Sequence, residues 1–250
     1  VEYFDNYLFL AMYVPVFQQK KNTTSPIELD ILITENHLIT VHNETIEPLK
    51  AFFKKCEERP DLKSKYFSST TGHLFYWLSE DLINFAERQL VHIGKNINQA
   101  EDKMFKGRER DLIREISTIK RDILDFRIAI RPLSRIFNSL TNRGIKFWPE
   151  KSDNLKIYFN DLISDYERIW GEIDNYTDTI NALEDTNTNI LSNKTSTIIR
   201  TFTILSFITF PAMLTAAILQ TNSADLWVIA AVILSTTTFM WVYFKTKKWL

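Results

Sequence analysis

Apolar and polar positions change their pattern along the 250 residues. Near the start the chain is strand-like. Residues 7–14 form an apolar, β-prone run, and in residues 27–34 Leu29, Ile31 and Ile33 alternate with mostly polar neighbours, which predicts a half-buried strand. Residues 37–41 follow as a third strand after a turn at Glu35-Asn36. Residues 48–56 read as a helix with Leu49, Phe52 and Phe53 on one face, broken at Pro60. From about residue 68 to 105 the period becomes helical, with Leu74, Leu78, Leu82, Leu90 and Ile93 recurring. Gly107 lies in a polar turn. A second helix carries Leu112, Ile116, Ile119, Ile123 and Ile130, contains Pro132 and ends at Arg143-Gly144, so the two predict an antiparallel pair. After Trp148-Pro149 one very long helix starts near Ser152 and meets no proline until Pro211. In it Ile173, Tyr176, Ile180, Leu183 and Ile190 take three- and four-residue steps, with Asn187 at the missing position. That is a coiled-coil seam, and it predicts self-association around an axis.

The last stretch differs in kind. No formal charge occurs in residues 201–224 or 226–244, with Asp225 alone between them. Even the shorter run reaches roughly 28 Å as a helix, close to the ~30 Å of a hydrocarbon core. This predicts a transmembrane hairpin. Lys194 and Arg200 precede it, Lys245, Lys247 and Lys248 follow it, and the link carries no positive charge. The positive-inside rule places both ends in the cytoplasm and the link outside. Four Asn-X-Ser/Thr triplets then fall on the cytoplasmic side and are discounted as glycosylation sites.

Composition sharpens this picture only in part. A charged share of 24% averages a charged segment up to about Arg200 and an apolar tail. The net charge of −1, with no basic run interleaved with aromatics, gives no sign of a nucleic-acid partner. One cysteine, Cys56, excludes an internal disulfide framework and suits a reducing compartment. The histidines His37, His42, His73 and His92 are scattered, without ligand or catalytic spacing, and no phosphate loop or nucleophile motif is present, so an enzyme is not expected. The chain opens on Val-Glu-Tyr and reads as a piece whose earlier strands are missing. Residues 152–200 hold nine acidic against four basic side chains, so a bundle of such helices would be electronegative and favour cations near its axis. Asp185, Ser192 and Ile199 are spaced by sevens and share a face. Thr201, Thr203, Ser206, Thr209 and Thr215 make the first span moderately polar. They read either as hydroxyls bonded back to their own helix or as the lining of a pore.

Several stretches carry a resemblance. Leu191-Ser192-Asn193-Lys194-Thr195, the proline at 211, the triplet Gln220-Thr221-Asn222, the terminal Lys245-Thr246-Lys247-Lys248-Trp249-Leu250 and the opening Val1-Glu2-Tyr3-Phe4-Asp5 together resemble the CorA family of divalent metal-ion transporters. The resemblance implies an α+β cytoplasmic domain, here truncated at its N-terminal side, a helical hairpin, one long stalk and pore helix, and a C-terminal two-helix transmembrane hairpin, assembled as a homopentamer. The corresponding segments are residues 1–67, 68–150, 151–200 and 201–250. The family's Gly-Met-Asn at the outer pore mouth becomes Gln220-Thr221-Asn222 here. The resemblance assigns Asn222 to a still-hydrated cation, which suits Mg2+ because it dehydrates reluctantly. Gln220 and Thr221 would add oxygens to that mouth or narrow it. Asp185, Ser192 and Ser196 fall at polar pore positions, with Asp185 also a metal-contacting acid. Met213 stands where the family has a threonine. Ile199, Phe202 and Phe210 fall at the hydrophobic gate, and Lys245, Lys247 and Lys248 at a basic ring at the cytoplasmic mouth.

What this implies is a multi-pass protein of the plasma or inner membrane that conducts divalent cations, Mg2+ foremost, with Co2+, Ni2+ and Zn2+ as alternatives. Its partners are membrane lipid, copies of itself and the cations, which are cargo and regulator; no cofactor is expected. The alternative is a non-conducting scaffold or sensor of the same fold, favoured by Gln220-Thr221, Met213 and an outer link that keeps only Asp225 as an acid.

Overall fold

The computed structural model describes residues 1–18, 23–67, 69–148, 152–221 and 226–246. They divide into two compact units, residues 1–185 and 186–250.

The first unit is built on an antiparallel sheet of order β1-β2-β3-β4: β1 (Glu2–Tyr3), β2 (Tyr7–Gln18), β3 (Thr23–Thr34) and β4 (Leu38–Val41). The register pairs Leu8 with Ile33, Leu10 with Ile31, Met12 with Leu29 and Val14 with Ile27. Because side chains alternate along a strand, all eight point to one buried face. Both long strands run further than the sequence pattern predicts, through Val16 and Phe17 and back to Thr23, where polar residues replace the clean alternation. Pro15 and Pro26 face each other in this ladder. Neither has an N–H, so theirs is a pair whose backbone groups point to the outer edges of the ribbon.

Helix α1 (Glu47–Glu58) buries Leu49, Phe52 and Cys56, while Phe53 is exposed. Pro60 breaks it as expected, with Arg59 extended before it. The same proline opens a further helix, α2 (Pro60–Phe67), that the sequence pattern does not predict: proline is tolerated in a first turn. Helices α3 (Thr71–Phe105) and α4 (Glu109–Asn142) form the expected antiparallel pair. Gly107, at φ +79°, supplies the left-handed turn between them, and α4 continues through Pro132. Lys103 meets Glu115, and His92 Nε2 lies 2.8 Å from Asp122. Both helices pack on the apolar face of the sheet. Asp122 is buried and also accepts the Thr24 N–H at 2.6 Å, pinning the far end of the β2–β3 ribbon.

A short 3₁₀ turn (Gly144–Phe147) and the buried Trp148, whose indole donates to Thr71, lead towards α5 (Ser152–Thr221). Within the first unit α5 runs parallel to α3. His73 meets Tyr158, the Tyr76 hydroxyl donates to Asp161, Glu87 pairs with Arg168, and Gly94 sits against Tyr176. On its other side Arg127 reaches Asp174 and Lys120 reaches Glu184. This corrects the expected use of the seam. Ile173, Ile180 and Leu183 are 0%, 1% and 7% exposed inside a single chain. The α3–α4 pair offers an apolar surface beside these residues, so the stripe is buried within the chain rather than left for another copy.

The second unit holds the rest of α5 and α6 (Leu226–Thr246). The Phe207 and Phe244 rings lie 6.0 Å apart, which brings the end of α6 beside the early part of the uncharged run.

Candidate functional site

The predicted site lies along α5, and the chain's own packing sorts its faces. Ile204 is buried, and Ile208, Pro211, Ala212 and Thr215 are half-buried, a stripe at helical spacing. On α6 the corresponding stripe is Ile233, Thr237, Met240 and the buried Phe244. The Phe207–Phe244 contact joins the two helices. The predicted pore residues fall away from the covered stripe. Ser192 and Ser196 are exposed, and Ile199, Phe202, Phe210 and Met213 are 60%, 66%, 70% and 76% exposed. Ser192, Ser196, Ile199, Ser206 and Phe210 gather within about 80° of one helix face. Asp185, exposed, closes the first unit. The backbone of Gln220 and Thr221 ends α5; their side chains, together with Asn222, Lys247 and Lys248, lie outside the described residues. Lys245 is described, and its ammonium sits 4.7 Å from the Trp241 ring centre.

The hydroxyls have a definite arrangement. Thr201, Thr203, Ser206, Thr209 and Thr215 each donate to the carbonyl four residues back. Thr195 and Thr197 do the same. In an apolar stretch this satisfies the hydroxyl hydrogen internally and leaves the oxygen lone pairs outward.

The electrostatics that sequence reasoning missed lie in the first unit. Glu80 on α3 has Asp81 beside it and Asp161 and Asp165 near it on α5. Burial first, then these negative neighbours, hold its carboxyl above the usual range, and Lys65 offsets only part of this. Burial and the hydrogen bond to Asp161 push the Tyr76 phenol up strongly. Burial and the hydrogen bond to Glu172 push Tyr176 up to about 12. The i, i+4 spacing of Asp161 and Asp165 was visible, but not that α3 would run alongside them. Among the described residues no group of three or more His, Cys, Asp or Glu is arranged to hold a metal ion. Among them also, one helix is long and apolar enough to cross a membrane, in the stretch Asn154–Ala217, with a mean hydropathy of 1.6 in its most apolar window.

Comparison with known proteins points one way. The family model described as CorA-like Mg2+ transporter protein matches residues 1–246. The cobalt/magnesium transport protein CorA of Thermotoga maritima is 24% identical over 262 residues, covering 100% of this chain and 72% of that protein. The complete structure of the CorA magnesium transporter from Methanocaldococcus jannaschii is similar in fold, with a TM-score of 0.81 at 18% identity over 98% of this chain and 78% of that one. The full-length CmaX protein matches with a TM-score of 0.76 at 16% identity, over 100% of this chain and 76% of that one.

Proposed function

The chain belongs to the family of CorA-like Mg2+ transporter proteins, and from that membership we propose that it is a divalent-cation channel or transporter of the plasma or inner membrane. Its relatives are named for cobalt and magnesium transport or for magnesium transport, and Mg2+ is the cargo put forward here, with Co2+, Ni2+ and Zn2+ to be tested beside it. In this reading five copies surround an axis, the uncharged part of α5 faces it, and α6 forms the outer layer. The 21 residues of α6 reach about 30 Å, enough to span a hydrocarbon core. Lys194 and Arg200 before the first span and the lysines after the second keep both ends cytoplasmic.

One observation carries the reading. The face of α5 left uncovered by α6 carries Ser206 and Phe210, and Ser192, Ser196 and Ile199 fall on the same side of the helix before it. Inside the uncharged run that face carries Ser206 beside Phe210, and an axis shared by copies would place polar rings and an apolar constriction in series. Phe202 and Phe210, with large side chains, make that constriction narrow and easily dewetted. Asn222 completes the path as the amide that meets a still-hydrated ion. A second reading, a non-conducting scaffold or sensor of the same fold, is favoured by Met213, an apolar side chain 76% exposed where the family resemblance has a threonine.

The two separate in liposomes. The full chain is reconstituted with a divalent-sensitive dye inside and an inside-negative potential. Uptake of Mg2+ is expected, with a marked loss in Asn222→Ala. Absence of uptake for Mg2+, Co2+, Ni2+ and Zn2+ alike overturns conduction and leaves the scaffold.

A further inference from the structure

The first twelve residues of the second unit, 186–197 of α5, have little to hold them helical. Nine of the twelve are Thr, Asn or Ser. All three are poorer helix formers than alanine or leucine, because they lose rotamer freedom or bond to nearby backbone in other conformations. Poor formers also occur earlier in α5, at Asn175, Thr177, Thr179 and Asn181. There the deficit is offset. Ile173, Ile180 and Leu183 bury apolar side chains, and Asp174 and Glu184 are paired with Arg127 and Lys120.

Beyond Asp185 that compensation stops. Ile190 and Leu191 are half-buried, and Asn187 is the one buried side chain in residues 186–197, at 3% exposed. It stands at the seam position where an apolar residue would have continued the stripe. Its Oδ1 is enclosed and meets no hydrogen-bond donor among the described residues. An acceptor left unmatched is penalised only while it is buried, since water satisfies it once the segment opens. Asn187 therefore favours opening, the reverse of what Leu183 does one turn earlier. Thr195 and Thr197 add to this by donating their hydroxyls to the carbonyls of Leu191 and Asn193, a back-bond that weakens and bends helices.

We propose that residues 186–197 form a conformational joint in α5, with Asn187 as its release point. The helix opens there locally in the native protein while the apolar stripe before it stays closed. The joint gives α5 a place to bend and reclose without loosening Ile173, Ile180 or Leu183. It does not depend on conduction, and its test reads no flux.

The test is backbone hydrogen exchange of the full chain in lipid vesicles, followed by mass spectrometry. The amides of residues 186–197 are expected to exchange well ahead of those of residues 170–183. Asn187→Leu, which puts an apolar side chain in place of the unmatched amide, is expected to slow exchange over residues 186–191 by roughly fivefold or more. Replacing the exposed Thr186 and Thr188 together by alanine leaves the buried stripe untouched and is expected to slow it as well. Exchange over 186–197 as slow as over 170–183 overturns the joint. Unchanged or faster exchange in Asn187→Leu overturns the role of Asn187, because the amide would then be matched in the protein. Where that variant fails to fold, the unaltered chain and the threonine pair decide the question.

Discussion

Glu80 shows how one side chain records the packing around it. Burial and the acids Asp81, Asp161 and Asp165 raise its carboxyl above the ordinary glutamate value of 4.5. The folded chain therefore holds that proton more tightly than the unfolded chain. Any stability this adds is complete below the ordinary value and is lost as the pH rises through the raised one. At neutral pH the ionised Glu80 is a net burden. Glu80→Gln is expected to raise the unfolding midpoint at neutral pH, with the gain shrinking as the pH falls towards 4.5. Thermal unfolding at both pH values checks it, and an equal gain at the two would contradict the role given to the charge. Little of this was legible in sequence. The same holds for His92, which reads as one of four scattered histidines until the α3–α4 turn brings Asp122 back to it across 30 residues.

At the scale of elements, α5 carries two surfaces of different use. Its buried stripe locks it to the α3–α4 pair. Ile180→Ala is expected to cost about 2–5 kcal/mol, as for other buried isoleucines. Ile157→Ala, at a position 68% exposed, should stay within about 0.5 kcal/mol. Denaturant unfolding compares the two, and equal costs would remove the stripe's special place. The helices from α3 onward were readable because their apolar periods are long and uninterrupted. The seam was readable as a seam but not for its partner, since heptad spacing does not say whether the matching surface belongs to the same chain. α2 was missed because a proline signals a stop and a start equally well. Strands β2 and β3 were found but drawn short, since their outer ends pair through polar residues such as Thr23, Thr24 and Ser25, and the two-residue β1 was missed.

For the molecule as a whole, the proposed ring brings several copies of each axial residue together, so a change at one position is multiplied. Asp185→Asn is expected to lower divalent uptake severalfold, with Mg2+ losing more than a monovalent ion, because a carboxylate near the axis attracts in proportion to the ion's charge. Liposome flux measures it, and unchanged uptake and selectivity would move Asp185 off the axis. The family and the long helix of this chain were legible from its uncharged runs, its low proline content and its terminal motifs. That Asp185, Ser192 and Ile199 share a face was legible from their sevenfold spacing, and all three are exposed. The orientation of the α5 hydroxyls was not, since each could have turned outward. Their actual arrangement has a consequence for the sign of charge. In the proposed pore, with the hydroxyl hydrogens of Thr203 and Ser206 already given to carbonyls of the same helix, an ion travelling along the face that carries Ser206 would meet oxygens that can accept and cannot donate. A hydrated divalent cation presents a shell of water hydrogens and is matched by such a surface. A hydrated anion turns lone pairs outward and would find no hydrogen there to receive them, so in the proposed pore that face would discriminate by polarity without a single charged side chain.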